Sequence, residues 1–181
     1  MEPLAVLVTA IWAMLPAYLP NNVAVVAGGG PPIDGGRTWQ GRRILGAGKT
    51  WRGTVAGIVA GIVLALLLDM GHAWAGARLG VAVPGFPITV AVALPTGAML
   101  GDIIGSAVKR RLGRRRGSSV PILDQLDFVV GALVTTYLLA PGWSVRVLTP
   151  AVVVTIVVVT PVLHVVTNAA AYALGLKDVP W

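Results

Sequence analysis

Three carboxylates in this chain sit where carboxylates are costly. Asp102 lies inside a long apolar run, about two helical turns before a group of bases. Ser106, Lys109 and Arg110 follow it at i+4, i+7 and i+8, a spacing that puts all four on one helix face. Asp124 and Asp127, at i and i+3, open the next apolar run and share a face of their own. The segment between the two runs is short and basic, so the helices must be antiparallel neighbours at that end. Carboxylates that converge repel one another unless a cation sits between them. Hard oxygen ligands of this kind, completed by phosphate oxygens, suit Mg²⁺, so Asp102, Asp124 and Asp127 are the candidate metal ligands. The neighbouring Lys and Arg side chains suit phosphate. Ordinary ion pairs, Asp102 with Lys109 or Arg110, are the alternative.

A second element precedes these: Gly46-Ala47-Gly48-Lys49-Thr50-Trp51-Arg52-Gly53. Glycines let backbone N–H groups approach phosphates, and a helix start favours anions. Lys49, Thr50 and Arg52 lie where such a turn would meet phosphate. The stretch resembles a P-loop only superficially, because Arg43 stands where that motif needs glycine and no strand is expected before it. A flexible turn capped by Thr54 is the plainer reading. His164 and Asn168, at i and i+4, either bond between helices or line a polar cavity, which Asn22 could join. Asp69 falls toward the opposite end of its run and reads as interfacial.

The elements that hold these residues follow from composition. Of 181 residues, 56% are hydrophobic and 12% charged, about half the charged share of a soluble domain. Mean hydropathy is +0.82. A spanning helix needs about 20 apolar residues, and runs of that kind cover 4–27, 54–74, 86–108, 126–143 and 145–174. The expected fold is a single all-α membrane domain over 1–181, with helices at those five runs and loops at 28–53 and 109–124. Met1-Glu2-Pro3 carries no base, so the first run reads as a retained helix rather than a signal peptide. The two loops hold eleven of the fourteen Lys and Arg residues. That bias puts both loops in the cytoplasm, the N-terminus outside and the C-terminus inside. There is no cysteine, which excludes thiol nucleophiles, disulfides and Cys-ligated metals. The basic loops lack interleaved aromatics or a known module, so nucleic acid is not an expected partner. Contact with anionic headgroups is.

Three motifs in order carry a resemblance. Gly101-Asp102-Ile103-Ile104-Gly105-Ser106-Ala107-Val108-Lys109-Arg110 and Pro121-Ile122-Leu123-Asp124-Gln125-Leu126-Asp127 are similar to the signature of membrane cytidylyltransferases that form CDP-alcohols. Lys49-Thr50-Trp51-Arg52-Gly53 is similar to the Lys-Thr-Trp-Glu-Gly run of bacterial phosphatidate cytidylyltransferases. The chain more closely resembles the archaeal CDP-archaeol synthases, in its small size and in the Leu123-Asp124-Gln125 form of the last motif. Bacterial enzymes typically have Arg where this chain has Gln125. Asn22, Ile33-Asp34-Gly35, Gly41-Arg42-Arg43-Ile44 and the tail from Gly175 to Trp181 also look archaeal.

The resemblance implies that CTP and 2,3-di-O-geranylgeranylglyceryl phosphate give CDP-archaeol and pyrophosphate, with Mg²⁺ as cofactor. In that reading Asp102, Asp124 and Asp127 hold metal and act in catalysis with Lys109. Lys49, Thr50, Arg52, Ser106, Arg110, Asn22 and Asn168 contact substrate. The expected location is the plasma membrane, as a multi-pass protein with its site facing the cytoplasm; a homo-oligomer stays open. The competing readings are a phosphatidate cytidylyltransferase on diacyl lipids, a small transporter with Asp102, His164 and Asn168 along its path, and a structural membrane subunit.

Overall fold

The structure is a computed structural model that describes residues 2–113 and 121–173, without the side chains of 121–124, 168, 170, 171 and 173. The described elements are α1 (Pro3–Val26), β1 (Thr38–Trp39), β2 (Arg42–Arg43), α2 (Trp51–Leu79), α3 (Ile88–Arg111), α4 (Pro121–Leu139), α5 (Pro141–Val147) and α6 (Pro150–Ala173). Among the described residues, four helices are long and apolar enough to span a bilayer, and Gln125–Leu139 of α4 forms a shorter apolar helix. The all-α membrane architecture expected from the sequence is thus present.

Much of the helix surface is apolar. Val59, Val63 and Leu67 of α2 and Val154, Val158 and Val162 of α6 are all exposed. In water such stripes would drive aggregation; in hydrocarbon they are ordinary. Beneath them lies a tight core of Ala10, Ala13, Met14 and Ala17 of α1 against Val90, Leu94 and Ala98 of α3, with Val129 and Ile156 behind.

Small residues set the helix spacing. Gly53, Gly57 and Gly61 of α2 fall at intervals of four and lie against the backbones of Ala24, Pro20 and Pro16 of α1. A Cβ at Gly57 would meet the Pro20 carbonyl at 2.6 Å. Pro20 has no N–H, so the Pro16 carbonyl loses its helical partner, and Gly61 lets α2 close over that oxygen. The α3–α4 pair repeats the device, with Gly97 and Gly101 against Gly131.

The last expected helices divide differently. Expected spans of 126–143 and 145–174 are observed as α4, the short α5 and α6. Pro141 and Pro150 start the latter two. Proline pushes the residue before it out of helical geometry, and Ala140 duly has φ −139° and ψ 57°. α2 is longer than expected, 29 residues or about 43 Å, against a hydrocarbon core of about 30 Å.

Candidate active site

The first basic loop is a built structure rather than a flexible turn. Asp34 is its organiser. Its Oδ1 accepts from Gly36 N at 3.0 Å and Arg43 Nη2 at 2.5 Å, and its Oδ2 from Leu45 N at 3.1 Å and Gly46 N at 3.2 Å. Burial alone would raise the Asp34 carboxyl. The Arg43 guanidinium and the three backbone N–H groups outweigh it and hold the group well below the usual carboxylate range. Gln40 and Gly41, both with positive φ, turn the β1–β2 hairpin. Arg111 of α3 lies over the Trp39 ring, 4.4 Å from its centre, and ties the hairpin to the end of α3. A bridge between Pro32 and Thr50 closes the loop.

The loop delivers Lys49 to Asp102. Lys49 Nζ donates to Asp102 Oδ2, joining the start of α2 to the middle of α3. Asp102 therefore pairs across the fold rather than with Lys109 or Arg110 of its own helix. Thr50, rather than Thr54, caps α2: its buried Oγ1 accepts from Gly53 N at 3.2 Å. Lys49, Thr50 and Asp102 line a cleft of about 220 Å³ together with Asn21, Met99 and His164.

Asp127 lies at the other side of α3. Gly105 is bare where the Asp127 side chain crosses it, and Gly101 is bare against the Asp127 backbone. Lys109 Nζ is 3.7 Å from Asp127 Oδ2, which is buried and has no hydrogen bond among the described residues. The Asp127 Oδ1 accepts from Phe128 N at 2.7 Å. Gly101 and Gly105, on either side of Asp102 in α3, both lie against Asp127, so the two ion pairs are neighbours across one stretch of α3. Asp127 also stands at the head of an apolar groove of about 450 Å³ between α3 and α4, with Ile104, Val108, Val130 and Val134 on its walls. Those four are exposed on the outside of the bundle, so the groove opens toward the lipid tails.

The other expected site residues scatter. Ser106 is buried in α3. Arg110 turns toward the loop, its Nε 3.9 Å from where a Gly46 Cβ would stand. Arg52 binds the end of α1, with Nε donating to Ala27 O at 2.8 Å and Nη2 to Gly28 O. Asn22 is exposed, its Nδ2 donates to Tyr18 O at 3.3 Å, and it shares the wall of a cavity of about 250 Å³ with His164, the arrangement its sequence position allowed. The side chains of Asp124 and Asn168 lie outside the described residues; Asp124 is one turn before Asp127 on α4. Among the described residues no three potential ligands gather into a metal cluster. Asn21, beside Asn22 on α1, lines the cleft with Lys49 and is a residue the motifs do not mark. Its signal was the buried α1 stripe of Ala10, Met14 and Ala17, which continues at helical spacing onto Asn21.

A chain of this architecture with the three motifs at one centre can be set beside known proteins. The family model described as CarS-like, CDP-archaeol synthase, matches residues 3–181. The chain belongs to the CDP-archaeol synthase family. Curated members include the CDP-archaeol synthase of Halorubrum lacusprofundi, 59% identical over 96% of each chain. That of Halobacterium salinarum is 54% identical over the full length of both, and that of Methanosarcina mazei 49% over 93% of this chain and all of the other. A solved structure described as an intramembrane enzyme for archaeal membrane lipids biosynthesis superposes with a TM-score of 0.72. It is 38% identical and covers 90% of this chain and 94% of its own. The family expected from the motifs is the one found, and with it a membrane nucleotidyltransferase.

Proposed function

We propose that the protein transfers CMP from CTP to 2,3-di-O-geranylgeranylglyceryl phosphate, giving CDP-archaeol and pyrophosphate, at the plasma membrane with its site open to the cytoplasm. The observation that carries this reading is the joined pair of ion pairs, Lys49–Asp102 and Lys109–Asp127. One borders a polar cleft and the other heads a lipid-facing groove. A water-soluble triphosphate and a lipid phosphate would meet between them. The basic loops support the cytoplasmic orientation.

A lipid phosphate is already ionised near neutral pH, so the reaction needs no side-chain nucleophile or general base. A lipid phosphate oxygen attacks the α-phosphorus of CTP, a new P–O bond forms, and the bond from the α-phosphorus to the bridging oxygen breaks to release pyrophosphate. What remains is positioning and charge neutralisation. Lys49 and Lys109 would exchange carboxylate partners for phosphate oxygens, and Thr50 would hold the start of α2 against the nucleotide. The exposed flank of the groove would keep the isoprenoid chains in hydrocarbon. Asp102 and Asp127, with Asp124 a turn away, are the hard-oxygen donors that Mg²⁺ takes, and the buried Asp127 Oδ2 has no hydrogen-bond donor among the described residues. Bound there, Mg²⁺ would supply Lewis-acid neutralisation of the phosphate charge.

Purified protein in lipid nanodiscs, given radiolabelled CTP, is expected to label an ether-linked isoprenoid glycerol phosphate far faster than a diacyl phosphatidate, and to stop when EDTA removes Mg²⁺. Equal labelling of the diacyl lipid would favour a phosphatidate cytidylyltransferase. No labelling of either lipid would overturn the proposal.

A further inference from the structure

The centre described so far handles phosphates and says nothing about the base. The cleft that holds Lys49 and Asp102 is also lined by Asn21, Met99, Ala24 and Val25. Its volume of about 220 Å³ gives room for a pyrimidine ring flanked by apolar walls. The carboxamide of Asn21 has its Oδ1 buried and without a hydrogen bond among the described residues. Buried acceptors are nearly always matched, so an unmatched one on a cavity wall marks a position that a ligand or water completes. Asn21 also lines a second cavity of about 250 Å³, shared with Tyr18, Asn22, Thr160, His164 and Thr167. Tyr18 and Thr160 there satisfy each other at 2.9 Å, and Thr167 bonds the carbonyls of Leu163 and His164. Asn21 and His164 line both cavities, and Asn21 brings to them a buried acceptor without a hydrogen bond among the described residues.

We infer that Asn21 reads the nucleobase, its Oδ1 accepting from the exocyclic 4-amino group of cytosine while the ring lies between Met99 and the α1 backbone. This rests on the reading of the protein as a CTP-using transferase. Asn21 lies one turn beyond Ala17 at the buried seam of α1, so a rigid helix positions it. It is a specificity residue, distinct from the charged groups that act on phosphate.

The test pairs a side-chain deletion with the matching substrate deletion. Full-length enzyme and Asn21→Ala are assayed with CTP and with its analogue lacking the 4-amino group. The unmodified enzyme is expected to lose about tenfold to a hundredfold in kcat/KM on the analogue, the scale of one buried hydrogen bond. Asn21→Ala is expected to lose a similar factor on CTP and nothing further on the analogue, with KM for the lipid unchanged. Asn21→Ser, closer in polarity, serves if the alanine variant does not fold. A preference for CTP over the analogue as large in the folded variant as in the parent would overturn the base assignment alone, and would mean that water fills the site. No product from CTP with the unmodified enzyme would overturn the proposed function and this inference with it.

Discussion

The two ends of the helix bundle each hold a carboxylate at least partly shielded from solvent, and they treat it in opposite ways. At the far end, Asp69 of α2 accepts from the backbone N–H of Phe86 at 2.6 Å, just before α3 begins. The loop it holds is pinned twice more, by Trp12 donating to Pro84 O at 2.9 Å and by Trp143 donating to Gly85 O at 2.8 Å. Backbone partners cannot leave, so that end is fixed. Asp102 lies roughly 20 Å further along α3. There the carboxylates face ammonium groups on long side chains, and Asp127 Oδ2 lacks a hydrogen bond among the described residues. Ammonium groups can turn to another anion. Matched backbone makes a joint; carboxylates shared with mobile cations make a site.

The largest effects are expected at the end that carries the ion pairs. Asp102→Asn and Asp127→Asn should each lower kcat by about 10² to 10³ or more, the scale of removing one group that stabilises developing charge. The folded protein should survive, because neither change alters shape. Near-normal turnover in either variant, with elution and melting unchanged, would break the assignment. Gly105→Ala should come close behind. Its methyl group would strike the Asp127 carboxylate, and α4 is held too tightly by Gly97, Gly101 and Gly131 to move aside. The expected result is a fall in kcat with little change in CTP binding, read by comparing turnover with nucleotide affinity.

The sequence showed the apolar spans and the acid–base spacings better than it showed what each side chain touches. The apolar runs, the basic loops and the i, i+3, i+4 and i+7 spacings are local, and local patterns survive folding. Pairing Lys49 with Asp102 depends on how a loop folds across 53 positions, which no spacing encodes. Asp34 stood in plain view as part of a family-like run, but its role needs the backbone of Leu45 and Gly46 to return to it. Arg52 looked like a phosphate ligand because cations near a glycine-rich turn often are; the open carbonyls at the end of α1 took it instead. The break at Ala140 was legible in Pro141 and Pro150 and was hidden by the continuous hydrophobicity around it.

A smaller effect on activity is expected at the far end. Asp69→Ala leaves the Phe86 amide without its acceptor, a cost of about 1–3 kcal/mol, and should lower the melting temperature in nanodiscs. Turnover per folded molecule should hardly change, because the loop lies at the opposite end from both ion pairs. A loss of turnover comparable to that of Asp127→Asn would erase the distinction between joint and site.

Asp34 sharpens the comparison, since it lies at the site end and is wired like a joint. Its four acceptor contacts leave it no spare capacity. Its carboxyl is held below the usual range, so the charged form stabilises the folded loop. That contribution is complete above the ordinary carboxylate value near 4 and is lost only as pH falls toward the lowered one. Amide-exchange protection at Leu45 and Gly46, corrected for the intrinsic pH dependence of exchange, should therefore stay flat from neutral pH to about 5 and decline only below the usual carboxylate range. In Asp34→Asn the same amides should exchange about tenfold faster at neutral pH, the scale of one lost charge-assisted hydrogen bond, with no such decline on acidification. CTP turnover should drop only in so far as Lys49 is misplaced, and high CTP should restore most of it. Should turnover instead collapse as it does for Asp127→Asn while the loop stays protected, Asp34 would belong to the site, and matched partners would no longer mark a carboxylate as structural.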